Sequence, residues 1–164
     1  MKALIGMRSI WLFEAYDSLR NLKWREEIPN IVVNVGLDDV LDKYFKGSTY
    51  TAAHYVGLKG VGSAAAGDTM TSHAGWAELT SYSEAVRQTL TLGTVASQSV
   101  DNSASKAVFN ISGSITVAGG LLSTDSTKGG TSGILYGAVD FGASRALISG
   151  DILNITVTLT AASV

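Results

Sequence analysis

Hydrophobic and polar positions alternate most clearly at the two ends of the chain. Leu22, Trp24, Glu26 and Ile28 alternate with Lys23, Arg25 and Glu27, the period of two expected of a strand with unequal faces. Upstream, residues 9–16 place Trp11, Phe13 and Ala15 on one side and Ile10, Leu12, Glu14 and Tyr16 on the other. A turn at Asp17, Ser18 and Asn21 joins the two into a predicted hairpin, which Pro29 and Asn30 end because proline cannot donate to a central ladder. At the far end, residues 152–160 put Leu153, Ile155, Val157 and Leu159 inside and Asn154, Thr156, Thr158 and Thr160 outside.

Between these ends the period changes once to that of a helix. Leu37, Val40, Leu41, Tyr44 and Phe45 recur at i, i+3, i+4, i+7 and i+8, which predicts an amphipathic helix sealing one side of a core. Asn34 is the expected cap, Asp38 and Asp39 suit the positive end, Lys43 and Lys46 suit the negative end, and Gly47 supplies the left-handed stop. Further strands are predicted over residues 54–58, 89–95, 106–117 and 133–141. In the third of these Phe109, Ile111, Ile115 and Val117 share a face, with Gly113 as a bend or bulge. Residues 68–75 read as a single helical turn that delivers Trp76 towards the core. The expected class is mainly β: an antiparallel sandwich or jelly-roll-like body with an N-terminal β-hairpin and one amphipathic helix. Residues 1–50 form the hairpin and helix, packed on or attaching the body. Residues 51–164 form the sandwich, and the whole is expected to be one structural unit.

Composition sharpens this division. Fifteen of the 26 charged residues and eight of the 13 aromatics lie in the first 60 positions, whereas the remaining 104 residues hold 29 Ser or Thr and 13 Gly. A charged, aromatic segment therefore precedes a weakly charged β-rich body. The 46% hydrophobic fraction excludes a disordered chain. A net charge of −2 argues against nucleic-acid binding, which needs a basic surface to neutralise phosphates. No cysteine is present, so disulfides and thiolate metal sites are excluded. No stretch approaches the ~20 apolar residues of a membrane helix, and Gly6 and Arg8 break the N-terminal apolar run too early for a signal peptide. A soluble protein without a membrane role is the expectation.

No catalytic constellation stands out. His54 and His73 are 19 positions apart and lack the spacing of a zinc site, and a hydrogen-bonded structural role is expected for His73 beside Trp76. Gly60, Gly62 and Ala65 match a dinucleotide fingerprint, but Gly67 and Asp68 interrupt the helix that would hold pyrophosphate. Lys128, Gly129 and Gly130 lack the phosphate-loop spacing. The Asn110-Ile-Ser112 and Asn154-Ile-Thr156 acceptor triplets fall inside predicted strands and are discounted as glycosylation sites. The expectation is a protein that is not an enzyme, with no catalytic residues, cofactor or metal, whose function lies in surfaces and assembly. The candidate protein–protein interface is Trp11, Phe13, Tyr16 and Trp24 of the hairpin.

Several segments carry a resemblance: Trp11-Leu-Phe-Glu-Ala-Tyr-Asp, Asn21-Leu-Lys-Trp-Arg-Glu-Glu-Ile-Pro-Asn30, Asn34-Val-Gly-Leu, Leu41-Asp-Lys-Tyr-Phe-Lys-Gly47, Tyr55-Val-Gly-Leu58, Gly67-Asp-Thr-Met, Ser72-His-Ala-Gly-Trp76 and Ser123-Thr-Asp-Ser-Thr-Lys-Gly-Gly-Thr131. In that order they resemble small structural proteins of tailed bacteriophages and prophages. The resemblance covers almost the whole chain and implies a virion component assembled in the host cytoplasm. Its leading form is a head decoration or cement protein that bridges major capsid protein subunits, or other virion proteins, as a homo-oligomer. The alternatives are a head–tail adaptor or tail component, whose hairpin completes a neighbour's sheet, and a receptor- or carbohydrate-binding module using Trp76, Tyr82 or Tyr136.

Overall fold

The alternation at the two ends of the chain is realised as one long ladder. The structure is a computed structural model that describes residues 5–50 and 53–163. Strand β1 (Ile5–Tyr16) pairs antiparallel with the last strand, β11 (Ile152–Ser163), from Ile5↔Ser163 to Tyr16↔Ile152. Strand β2 (Leu22–Pro29) flanks β1 on its other side, with a register shift between Ala15 and Tyr16. The intervening turn closes on Asp17, whose carboxylate accepts the backbone N–H groups of Leu19 and Asn21 at 2.9 and 2.8 Å. Strands β7 (Ser99–Asp101) and β8 (Ala107–Asn110) pair with successive parts of β11 and complete a five-stranded sheet.

The second sheet has six strands in the order β3-β10-β9-β4-β5, with β6 also on β4. Its members are β3 (Ile31–Val32), β4 (Tyr55–Lys59), β5 (Glu78–Leu79), β6 (Gln88–Thr89), β9 (Ile115–Ser123) and β10 (Leu135–Leu147). All pairings are antiparallel, so the mainly β, two-sheet sandwich expected from the pattern is what the chain forms. Because β1 lies inside the first sheet, between β2 and β11, the N-terminal hairpin is an integral part of the sandwich.

The core sits between the sheets. Trp11, Phe13 and Ala15 of β1, with Leu153, Ile155 and Val157 of β11, are fully buried and face Val56, Leu58, Val117 and Val139 of the other sheet. Each large apolar side chain so buried contributes roughly 1.5–3 kcal/mol of transfer free energy. The sheets approach most closely at Gly120 on β9. A Cβ there would lie 2.7 Å from Cζ3 of Trp11 and 3.2 Å from Cζ of Phe13, so only glycine leaves room for both rings. Ser9 receives the indole N–H of Trp11 at 3.0 Å, which leaves that buried donor satisfied.

Three expectations are corrected. The single strand over residues 106–117 is two strands in different sheets: β8 belongs to the first and β9 to the second, and Gly113 lies in the connection where the chain crosses over. The strand over residues 89–95 shrinks to Gln88–Thr89. Residues 68–75 form tight turns closed by Thr69 N–H to Ser72 C=O (2.9 Å) and Trp76 N–H to His73 C=O (3.2 Å), not a helical turn.

Two buried cations tie the loops to this frame. Arg87 is fully buried and uses its whole fork: Nε and Nη2 donate to the two oxygens of Glu78 at 2.8 and 2.7 Å. Nη1 donates to the carbonyl of Asp125 at 2.8 Å, and Nη2 to that of Gly130 at 2.7 Å. A bidentate pair with its remaining donors satisfied is the arrangement in which burying a guanidinium is tolerated. Lys59, also fully buried, ends β4; its ammonium lies 2.7 Å from Asp140 Oδ1 as an ion pair off the hydrogen-bonding direction.

Gly120→Ala tests the inter-sheet spacing. A methyl forced against Trp11 and Phe13 is expected to destabilise the fold by about 1–3 kcal/mol, read as a lowered urea midpoint with an unchanged slope. A neutral substitution would show that the sheets are not held at this distance.

Candidate functional site: an exposed apolar helical face

Helix α1 spans Asn34–Val40 and runs directly into a π-helical turn, Leu41–Phe45, in which the N–H of Lys46 reaches the carbonyl of Leu41 at 3.1 Å. Gly47, at φ +80°, ends the segment as expected. The N-terminus differs from expectation: Val33 occupies the cap position with no side-chain hydrogen bond, and the first turn carries no acidic residue. What holds this end is main-chain bonding to the sandwich. Val33 N–H donates to Tyr136 C=O at 3.2 Å and Asn34 N–H to Ala66 C=O at 2.9 Å.

The packed face is set by Val33, Gly36 and Asp39. Val33 is fully buried. A Cβ on Gly36 would come within 2.8 Å of the Tyr136 backbone, so glycine lets the helix lie directly on β10. The Tyr136 hydroxyl donates to the carboxylate of Asp39. Burial, with that carboxylate beside it, pushes the Tyr136 hydroxyl well above the ordinary tyrosine range. The His54 ring stands edge-on to Tyr136 at 4.8 Å.

This attachment turns the helix the other way from expectation. Leu37, Leu41, Tyr44 and Phe45 do not seal the core; they are 39%, 57%, 81% and 66% exposed. Tyr44 and Phe45 touch each other edge-to-face at 5.2 Å. Periodicity located the apolar stripe, but the side that packs is decided by the small residue, and Gly36 three positions after Val33 was the available signal. Other large apolar side chains are exposed too, Leu19, Val61 and Val95 among them, but these four fall within nine residues of one helical segment, and close grouping is what makes exposed apolar surface informative.

The four hairpin residues expected to form an interface are not brought together. Trp11 and Phe13 have no exposed surface; they stack at 5.9 Å inside the core, and Phe13 meets Phe141 edge-on at 4.6 Å. Trp24 is half-buried on the same inner face, edge-on to Phe141 at 5.8 Å with the Arg145 guanidinium 5.9 Å from its ring. Tyr16 faces the opposite side, beside a hollow of about 90 Å³ shared with Arg20, Ile152 and Asn154. A central strand covered by a second sheet leaves its inner residues nothing to present, so Trp11 and Phe13 are core.

Of the aromatics considered for a glycan site, Trp76 and Tyr82 also turn inward, and Tyr136 is half-buried with its hydroxyl on Asp39. Trp76 is 6% exposed, covered by the His73 ring stacked on it at 4.1 Å, and donates its indole N–H to Asp68 Oδ2 at 2.8 Å. Tyr82 is buried edge-on to Phe109 at 5.0 Å. A cleft of about 460 Å³ does run between residues 71–78 and 129–131, but Glu78 on its wall is already committed to Arg87 and to the N–H of Gly129 at 3.0 Å. The glycine-rich turn after β4 is already satisfied from within: the carbonyls of Gly60 (3.2 Å) and Gly62 accept from Lys59, and the N–H groups of Ala64 and Ala65 donate to Asp140 and Asp68 at 2.8 and 2.9 Å. Among the described residues no group of three His, Asp or Glu side chains is placed to hold a metal ion, and no helix is long and apolar enough to cross a membrane.

Compared with protein-family models, curated proteins and solved structures, the chain matches none.

The helix's seat is sensitive to pH through His54. Burial holds the imidazole below its ordinary 6.5, with Asp39 opposing more weakly. The unfolded chain therefore takes up the proton first as pH falls, so this contribution is present above about pH 6.5 and declines below it. The unfolding temperature is expected to fall between pH 7.5 and 5.5, and His54→Gln should reduce that slope. An unchanged slope in the variant would remove His54 as the cause.

Proposed function

We propose that this protein is a structural component of a tailed-bacteriophage particle, a head decoration or cement protein, and that the helical face is its assembly surface. One observation carries the reading. Four large apolar side chains, Leu37, Leu41, Tyr44 and Phe45, stand in solvent on a segment whose other side is tied to a well-packed sandwich. The arrangement suits a component that must arrive folded and then bury a preformed patch, since little ordering entropy is lost on docking. Many identical copies, each with a modest contact, hold a shell through multivalency. The order of motifs from Trp11 to Thr131 supports the same reading through its resemblance to phage virion proteins. An adaptor that gives up its hairpin to a neighbour would have to break the pairing of β1 on both edges, whereas the outer edge of β2 is unpaired in this sheet.

The test is incorporation into particles of the phage or prophage that encodes the chain. Quantitative mass spectrometry and immunogold labelling should find stoichiometric copies on the head. The double variant Leu41→Asp, Tyr44→Ala should be incorporated at least ~10-fold less, while its circular dichroism and unfolding temperature stay close to those of the parent. A handful of copies at a tail vertex, or undiminished incorporation of the variant, would contradict the proposal.

A further inference from the structure

We infer that the occupant of the helical face is a second copy of this chain, docked antiparallel about a two-fold axis. The inference rests on the reading of that face as an assembly surface and adds its partner. Charge order along the segment is the first argument. Asp38 and Asp42 precede Lys43 and Lys46, with Asp39 turned to Tyr136 on the packed side, so the acidic half comes first and the basic half second. Such an order is self-complementary only when two copies run in opposite directions, which is the isologous contact of a two-fold dimer. Asp38 is exposed and has no ion-pair partner among the described residues, and the Lys46 side chain is 78% exposed. Lys46 does contact Asp42 at 3.2 Å, and Lys43 lies 3.8 Å from the same carboxylate, but solvent-exposed i,i+4 pairs are weak and leave Lys46 free to turn outward.

Shape and area agree. Leu37 lies one helical turn before Leu41, and Tyr44 and Phe45 follow on the π-helical turn, so the four exposed apolar side chains are carried on one short segment that a second copy can cover. In an antiparallel pair centred near Leu41, Asp38 of each chain lies within a turn of Lys46 of the other. Taking roughly 150–250 Å² for a large side chain, the exposed fractions of the four apolar residues amount to about 450 Å² per chain. Two copies would therefore remove at most ~900 Å² of this apolar surface, just below the ~1,000 Å² of a specific interface until the charged rim is added. The dimer is then a weak one, populated where copies are concentrated.

Sedimentation velocity of the full chain from 1 to 500 µM tests this. A monomer–dimer equilibrium is expected, with Leu41→Glu weakening it at least ~10-fold. Asp38→Lys alone and Lys46→Asp alone should each weaken it similarly, while an equimolar mixture of the two should regain association, because both cross-pairs are restored. Circular dichroism of each variant verifies the fold. A monomer at every concentration, or a dimer indifferent to Leu41→Glu, overturns the inference, as does failure of the mixture to recover. If the chain stays monomeric while Leu41→Asp, Tyr44→Ala still abolishes particle incorporation, the dimer fails and the assembly reading stands. If the mixture recovers but particles carry no copies, the dimer stands and the virion reading fails.

Discussion

The pairing of the first strand with the last, and the press of Trp11 against Gly120 that this pairing produces, is the contact on which the other elements depend. The register Trp11↔Val157 and Phe13↔Ile155 lines up two rows of buried side chains from opposite ends of the chain. Those rows meet a sheet that has no side chain at position 120, so the aromatic rings are seated against backbone. Strands β2, β7 and β8 add to this ladder, and β10 is brought over Phe13 through Phe141. Closing the chain end on end also removes the hairpin from any role as a free arm.

From that frame the remaining polar groups follow. A sandwich with short outer strands leaves long connections, and these are fastened by buried cations instead of by further strands. Arg87 gathers Glu78, Asp125 and Gly130; Lys59 gathers the Gly60 turn and Asp140. Both would be read as solvated charges in a sequence, and both are scaffold. Their burial also accounts for the glycine-rich turns, whose carbonyls are directed at ammonium and guanidinium groups.

The sequence was most legible where one period ran unbroken between turn signals. Residues 9–16, 22–28 and 152–160 were recognisable as strands, and the buried set of Leu153, Ile155 and Val157 followed from alternation. Gly113 was ambiguous because a bulge and a crossover between sheets both require a flexible residue flanked by small polar ones. Strands β5, β6 and β7 have two or three residues each, too few for any period to register. The helix was legible as a helix but its orientation was not: apolar spacing says which residues share a side, whereas Gly36 against Tyr136 decides which side meets the sheet. That reversal moved the candidate site from the hairpin to Leu37, Leu41, Tyr44 and Phe45.

The closed sandwich and the exposed apolar face of residues 37–45 are thus distinct parts of the molecule, and the proposed assembly role rests on the latter. Amide hydrogen exchange compared between free protein and assembled particles tests that separation most directly. Strong added protection over residues 37–46 is expected on assembly, with the β1–β2 hairpin exchanging as slowly as before. Added protection confined to the hairpin, with residues 37–46 unchanged, would contradict it.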